Sequence, residues 1–283
     1  THATQTARIT EGVEQVLLNA REQGKPFDGV IVYGDTNSTL AAAIAAARAE
    51  KLEAYVDNVK DEPLLDVSKI KKGKITKESE NKTFGYKELT LSNGATVILK
   101  KTDFKDDEVQ MQAFAKGGQS LYGPADYTNL KVFDAVIGYS GIGNFSSNEL
   151  TKALAGKEVN ADLSLAITRQ YLNAHSTPKD IETMMQMSYL YFTAVKKDEK
   201  QFQNLMTNLE MSLKNKSLSP DNVFADSLAA TMYSHNPRFN NINVEDLKDI
   251  NYGRILEIAK EGFQNAGQFT FIICGNFDET AIR

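Results

Sequence analysis

Glu88-Leu89-Thr90-Leu91-Ser92-Asn93-Gly94-Ala95-Thr96-Val97-Ile98-Leu99 decides the fold class of this chain. Two runs rich in β-formers flank Asn93-Gly94, a pair that tolerates the positive φ a tight hairpin needs, so the stretch predicts two antiparallel strands. Working outward, Val109, Met111 and Ala113 alternate with polar residues and predict a third strand ending at Gly117-Gly118. A helix is expected around residues 129–138. Ser146-Ser147-Asn148-Glu149 has capping-box spacing, in which serine and glutamate side chains satisfy the free amides of a helix start, and predicts a short helix through Leu154. Residues 159–167 alternate again as a strand. Thr177-Pro178-Lys179-Asp180 supplies an N-cap, a proline at the first helical position and an acid in the first turn. The helix it opens is expected to carry Ile181, Met185, Tyr189 and Phe192 on one face. Phe202, Leu205, Met206, Leu209 and Leu213 form the cleanest amphipathic stripe and are expected inside. Ser219-Pro220 begins a further helix, Ile255, Ile258, Ala259 and Phe263 mark a later one, and residues 269–274 close as a buried strand. A hairpin, grouped helices and a returning strand make residues 84–283 an α+β domain, with helices packed on a mainly antiparallel sheet.

The first fifty residues follow a different pattern. Ile9, Val13, Val16, Leu17 and Ala20 keep helical spacing, Lys25-Pro26 breaks it, and Gly29-Val30-Ile31-Val32-Tyr33 is apolar on both faces like a strand buried in a parallel sheet. A polar turn, Asp35-Thr36-Asn37-Ser38, leads into an alanine-rich helix from about residue 39 to 51. Residues 1–50 therefore read as an α/β helix–strand–helix fragment whose single strand completes no sheet. Residues 51–83 read as a linker, charged and without sustained period, a strap over a surface.

Hydrophobic residues make up 41% of the 283 and charged residues 24%, the proportions of a soluble globular protein. The net charge of −5 argues against a nucleic-acid binder, which needs a basic face to displace counterions from phosphates. No run approaches the length of a membrane span, so no membrane partner is expected. Thr1-His2-Ala3 carries neither start methionine nor signal peptide, and both ends read as cut.

Little in the sequence carries chemistry. A metal site needs histidines or carboxylates that converge, yet His2, His175 and His235 are isolated and neither H-E-x-x-H nor H-x-x-E-H occurs. His175, beside a helix start, and His235 are expected in loop or capping roles. The lone Cys274 excludes an internal disulfide and reads as a small core residue. No nucleophile elbow G-x-S-x-G is present, and Gly141-Ile142-Gly143 reads as a tight turn. No catalytic, cofactor-binding or metal residue is expected in the chain.

Residues 91–108 (LSNGATVILKKTDFKDDE) resemble the opening of a repeat in the insulinase-like (pitrilysin-type) zinc metallopeptidases. Ordered similarities follow at residues 114–120 (FAKGGQS), 140–157, 176–193, Asn236-Pro237-Arg238 and 269–278 (FTFIICGNFD). The resemblance implies enzymes built from repeated α+β domains, of which only the first carries an inverted zinc motif, H-x-x-E-H, on the helix after the glycines. Lys131 and Ala135 would fill the histidine positions here, and Asp134 that of the catalytic glutamate. The chain is thus expected to match the non-catalytic third-domain repeat, from about residue 53 to 283. It would be inactive alone and help to enclose a peptide substrate. Its partner would be the catalytic half of the same enzyme, which holds the zinc, or an active partner subunit. The family suggests a bacterial periplasm or envelope.

His2 to Arg8 (HATQTAR) and Val32 to Ala41 (VYGDTNSTLA) instead resemble the non-hydrolysing UDP-N-acetylglucosamine 2-epimerases. That resemblance makes Asp35 the counterpart of a carboxylate that moves a proton at the sugar carbon. The alternative function is accordingly an epimerase fragment, with a chimeric junction, or a natural extension, inside the alanine-rich helix.

Overall fold

The computed structural model describes residues 2–24, 41, 45, 60 and 62–283, and they fall into two units, Thr1–Asn58 and Val59–Arg283. In the first unit the expected amphipathic pattern forms helix α1 (His2–Glu22). Of the alanine-rich helix, Ala41 and Ala45 are described, and both are helical and buried. The expected strand at residues 29–33 and Asp35 lie outside the described residues.

The second unit opens with a strap. Lys60 Nζ donates to the Asn144 carbonyl (2.5 Å), lies 3.6 Å from a Glu149 carboxylate oxygen and covers the Phe145 ring, while Leu64 and Leu65 pack against the core. The expected linker is not irregular to its end. Its last part forms strand β1 (Ile75–Asn81), paired antiparallel to β2 (Tyr86–Leu91). Six of its seven residues are exposed, which is why no buried apolar alternation marked it in the sequence.

The hairpin forms as expected between β2 and β3 (Thr96–Lys101). Leu91 N–H bonds to the Ala95 carbonyl (2.8 Å) and Gly94 N–H to the Leu91 carbonyl (2.9 Å). Gly94 takes the single left-handed position of this turn, with φ +94°. β4 (Val109–Lys116) alternates strictly, with Val109, Met111, Ala113 and Ala115 buried. The remaining strands of the sheet are β6 (Val159–Leu165), β7 (Arg169–Ser176) and β9 (Thr270–Gly275), and a short pair, β5 (Gly141–Ile142) with β8 (Val195–Lys196), stands apart. The seven-stranded order is β1-β2-β3-β9-β4-β7-β6, and every pairing is antiparallel except β3–β9.

Strand β7 escapes a hydropathy reading because its buried side includes Gln170 and Ser176 beside Leu172 and Ala174. Gln170 is tolerated inside because its amide donates to the Gly262 carbonyl and its oxygen accepts from Gly118 N–H (3.3 Å). Gly118 itself, at φ +60°, leaves no room for a side chain, since a Cβ would meet the Ala166 carbonyl at 2.2 Å.

Three helices, α2 (Tyr127–Gly138), α4 (Ile181–Thr193) and α7 (Tyr252–Phe263), cover one face of the sheet. α3 (Ser147–Ala153) carries the capping box in full, with Ser146 and Glu149 bonding reciprocally. Phe133, Ile137, Met184, Ile255, Ile258, Phe263 and Phe269 are buried at the centre of this layer. Phe192 meets Phe269 edge-on at 4.9 Å between ring centroids. The chain continues through α5 (Glu199–Ser217) and α6 (Pro220–Met232), and the short α8 (Glu279–Ile282) follows β9.

Two expected helix faces are corrected. α4 buries Thr183, Met184, Met187, Ser188, Leu190 and Tyr191, while Tyr189 is exposed. The two hydroxyls hid this face from a hydrophobic count. They are satisfied inside, Ser188 by the Met184 carbonyl and Thr183 by the Lys157 ammonium. On α5 only Phe202 is buried, whereas Leu205, Met206, Leu209 and Leu213 are half-buried. This helix packs chiefly on α6, which buries no residue of its own, so beyond Phe202 the stripe only flanks the core, with Leu205, Met206 and Leu209 packed against its margin.

Candidate functional site

Helix α2 carries the positions where the resemblance places a zinc motif. Lys131 is half-buried, and burial lowers the pKa of its ammonium from the ordinary value. Its Nζ donates to the Pro237 carbonyl at 2.8 Å. Asp134 spends both carboxylate oxygens on β6, accepting from Ser164 Oγ (2.7 Å) and from Leu165 N–H (3.0 Å). Ala135 has no lone pair to offer. An ammonium directed at a carbonyl, a methyl group and a carboxylate already bonded twice do not fit a zinc ion, which needs converging lone pairs. Among the described residues, no three of His, Cys, Asp and Glu converge elsewhere either.

The Asn236-Pro237-Arg238 motif has a positioning task. Arg238 donates to the carbonyls of Gln119 (2.7 Å) and Tyr122 (2.8 Å) and lies over the Tyr127 ring at 4.4 Å. Nearby, Arg254 grips Asp126 with two bonds (2.9 and 3.0 Å) and reaches Glu257 and Glu261, and these contacts raise its pKa. Burial pushes the Tyr122 hydroxyl up to about 12, while it donates to the Ile258 carbonyl. These clamps fix the segment between β4 and α2 to α7 and to the loop after α6.

The face of the sheet opposite the helices is polar and in strict register. Cross-strand pairing sets Lys100, Cys274, Gln110, His175 and Asn160 in one row, and Ile98, Ile272, Gln112, Asn173 and Asp162 in the next. Gln112 donates to Asn173 (3.0 Å), which donates in turn to Asp162 (3.2 Å), so three strands are tied by one amide ladder. Gln110 donates to Glu108 (2.7 Å), whose carboxyl is held below the usual range, first by Lys105 and then by Gln110. A hollow of about 480 Å³ lies over Glu108, Gln112, Asp162, Asn173, His175 and Cys274.

This face corrects two expectations. Cys274 is half-exposed on it, because β9 alternates and turns Ile273 to the core instead. His175 is a strand residue of β7, exposed on the same face, while His235 does sit in a loop, at φ +54°. His175 and Cys274 flank Gln110 from opposite sides, so two strand spacings, roughly 9–10 Å, separate them. That is too far for a thiolate–imidazole pair. The ladder was missed in the sequence because β7 was; the polar alternation of Gln110 and Gln112 on β4 was its one visible trace.

No family model matches the chain. It is 29% identical over 209 residues to an Arabidopsis thaliana protein described as "Zinc protease PQQL-like", and 24% identical over 191 residues to the Escherichia coli "Probable zinc protease PqqL". Those matches take in 74% and 68% of the chain but only 19% and 20% of the relatives, so the chain spans about a fifth of their length. Among solved structures, the periplasmic protease PqqL of Escherichia coli superposes on 92% of the chain and 28% of its own, with a TM-score of 0.67 at 21% identity. The ferredoxin protease FusC, solved with Arabidopsis ferredoxin, covers the same shares at a TM-score of 0.61 and 15% identity. A peptidase M16 inactive domain from Pseudomonas fluorescens matches 70% of the chain and 48% of its own, at 0.56 and 10%. The epimerase resemblance of the first residues gains no support from these comparisons. In sequence this chain is similar to the PqqL-like zinc proteases, and it shares its fold with solved structures of the peptidase M16 type.

Proposed function

We propose that the chain is a non-catalytic portion of an M16-type zinc protease, one that helps to enclose a peptide by shape and supplies no bond chemistry. The observation that carries this reading is the state of α2, where Asp134 and Lys131 are consumed by structural bonds to β6 and to Pro237. A carboxylate held by two donors is a poor general base. The open sheet face, polar, hollowed and tied by the Gln112–Asn173–Asp162 ladder, is a suitable wall for a chamber that passes varied peptides. Zinc and the catalytic carboxylate would come from another portion of the same protein or from an active partner subunit. The compartment we propose is the bacterial periplasm or envelope, on the strength of the periplasmic PqqL.

The test is metal analysis and peptidase assay of the purified chain. After dialysis we expect less than a tenth of an equivalent of zinc, in the order-of-magnitude sense of a site without ligands (~0.1), and no chelator-sensitive cleavage. One retained equivalent together with cleavage abolished by chelation overturns the proposal.

A further inference from the structure

The segment from Val67 to Lys77 holds five lysines (Lys69, Lys71, Lys72, Lys74 and Lys77) and no acid, in a chain whose net charge is −5. Lys69 is paired with Asp66 at 3.0 Å. The other four are exposed, and among the described residues none lies within ion-pair distance of a carboxylate. Like charges crowded this closely repel one another, and counter-charge from outside relieves the repulsion. The same segment runs into β1, the outer strand of the sheet, whose far side is open: residues 75–80 are all exposed.

Which backbone groups are free follows from the ladder. Leu91 bonds toward β3 through Ala95, so Leu89 and Lys87 also face β3, while Thr90, Glu88 and Tyr86 face β1. Their partners Lys77, Ser79 and Asn81 therefore point inward, consistent with the Gly85 N–H bond to the Asn81 carbonyl. The amides and carbonyls of Glu78 and Glu80 are left facing outward. Glu78 turns to Arg283, which forms two bonds with it.

We infer that β1 and the lysine strap before it form a docking edge for an acidic, extended polypeptide segment, which would add to the sheet as an eighth strand. The open edge would read the main chain, and Lys71, Lys72, Lys74 and Lys77 would select acidic side chains. A main-chain edge favours a polypeptide over a lipid surface or a nucleic acid, neither of which uses paired N–H and C=O groups. The inference stands apart from the proposed function, since it concerns neither α2 nor the open sheet face.

The experiment titrates the full chain with a fluorescent peptide of about ten residues, long enough to line the seven-residue β1 and reach the lysines before it, alternating Glu and Thr. Parallel titrations use the Gln-Thr analogue, the Glu-Thr peptide N-methylated at alternate residues, phosphatidylglycerol vesicles and a single-stranded DNA oligonucleotide. We expect the acidic peptide to bind at least about tenfold tighter than the neutral one, with binding that weakens as salt rises. The triple variant K71E/K72E/K74E should retain the circular dichroism of the parent, because these side chains are exposed and form no ion pair among the described residues, and should lose the acidic preference. N-methylation should weaken binding about tenfold by blocking the edge. Equal binding of the acidic and neutral peptides overturns the inference, as does an unchanged triple variant. It is equally overturned if the N-methylated peptide binds as well as its parent, or if vesicles or DNA bind more tightly than the peptide.

Discussion

Replacing Asp134 with alanine separates a structural carboxylate from a catalytic one. Its oxygens bridge α2 to β6 through Ser164 Oγ at 2.7 Å and Leu165 N–H at 3.0 Å, while the Leu165 carbonyl is taken separately by the Gln119 amide at 2.8 Å. Hydrogen bonds to charged groups contribute about 1.5–3 kcal/mol each when shielded. Asp134 is exposed, so water competes for it, and the pair together should stabilise by about 1–2 kcal/mol. Asp134→Asn keeps one acceptor oxygen and should lose about half as much. A double-mutant cycle with Ser164→Ala should show a coupling of about 0.5–1 kcal/mol. Urea denaturation followed by circular dichroism gives the stabilities, and hydrogen exchange at the Leu165 amide gives the local effect. In Asp134→Ala that amide loses its partner and should exchange faster than its neighbours in β6. Unchanged exchange at Leu165, with a stability loss below about 0.3 kcal/mol, refutes the clamp and returns Asp134 to the pool of free acids.

Three further outcomes follow from the packing and the ionisation of the core. Ile255→Ala, fully buried under the sheet, should cost about 3–4 kcal/mol, whereas Leu209→Ala on the half-buried stripe of α5, at the margin of the core, should cost about 1 kcal/mol; equal losses in denaturant titrations would show that the stripe is as fully desolvated as the centre of the core. Burial raises the hydroxyls of Tyr122 and Tyr191 to about 12, so between the ordinary tyrosine value near 10 and about 12 the unfolded chain releases protons that the folded chain keeps. Stability should therefore fall as pH rises through that window, and the double variant Y122F/Y191F should show a flatter alkaline unfolding profile; an identical slope would mean that neither hydroxyl is desolvated.

The sequence alone determined the parts whose local physics is self-contained. Asn93-Gly94 set the hairpin because only certain residues accept a left-handed turn, and the capping box at Ser146–Glu149 set α3 because its bonds are made within four residues. The strict alternation of β4 and the buried stripe of α7 were legible for the same reason. Tertiary structure decided what depended on distant partners. Gln170, Ser188 and Thr183 are buried because Gly262, Met184 and Lys157 satisfy them, so the hydrophobic signal of β7 and of the true inner face of α4 was interrupted by polar residues. Strand β1 is polar after Ile75 because it lies at an edge. Only the strand order put Gln112, Asn173 and Asp162, drawn from three separate stretches of sequence, side by side on one open face. A side chain's burial depends on what another part of the chain brings to it, and residue type by itself does not carry that information.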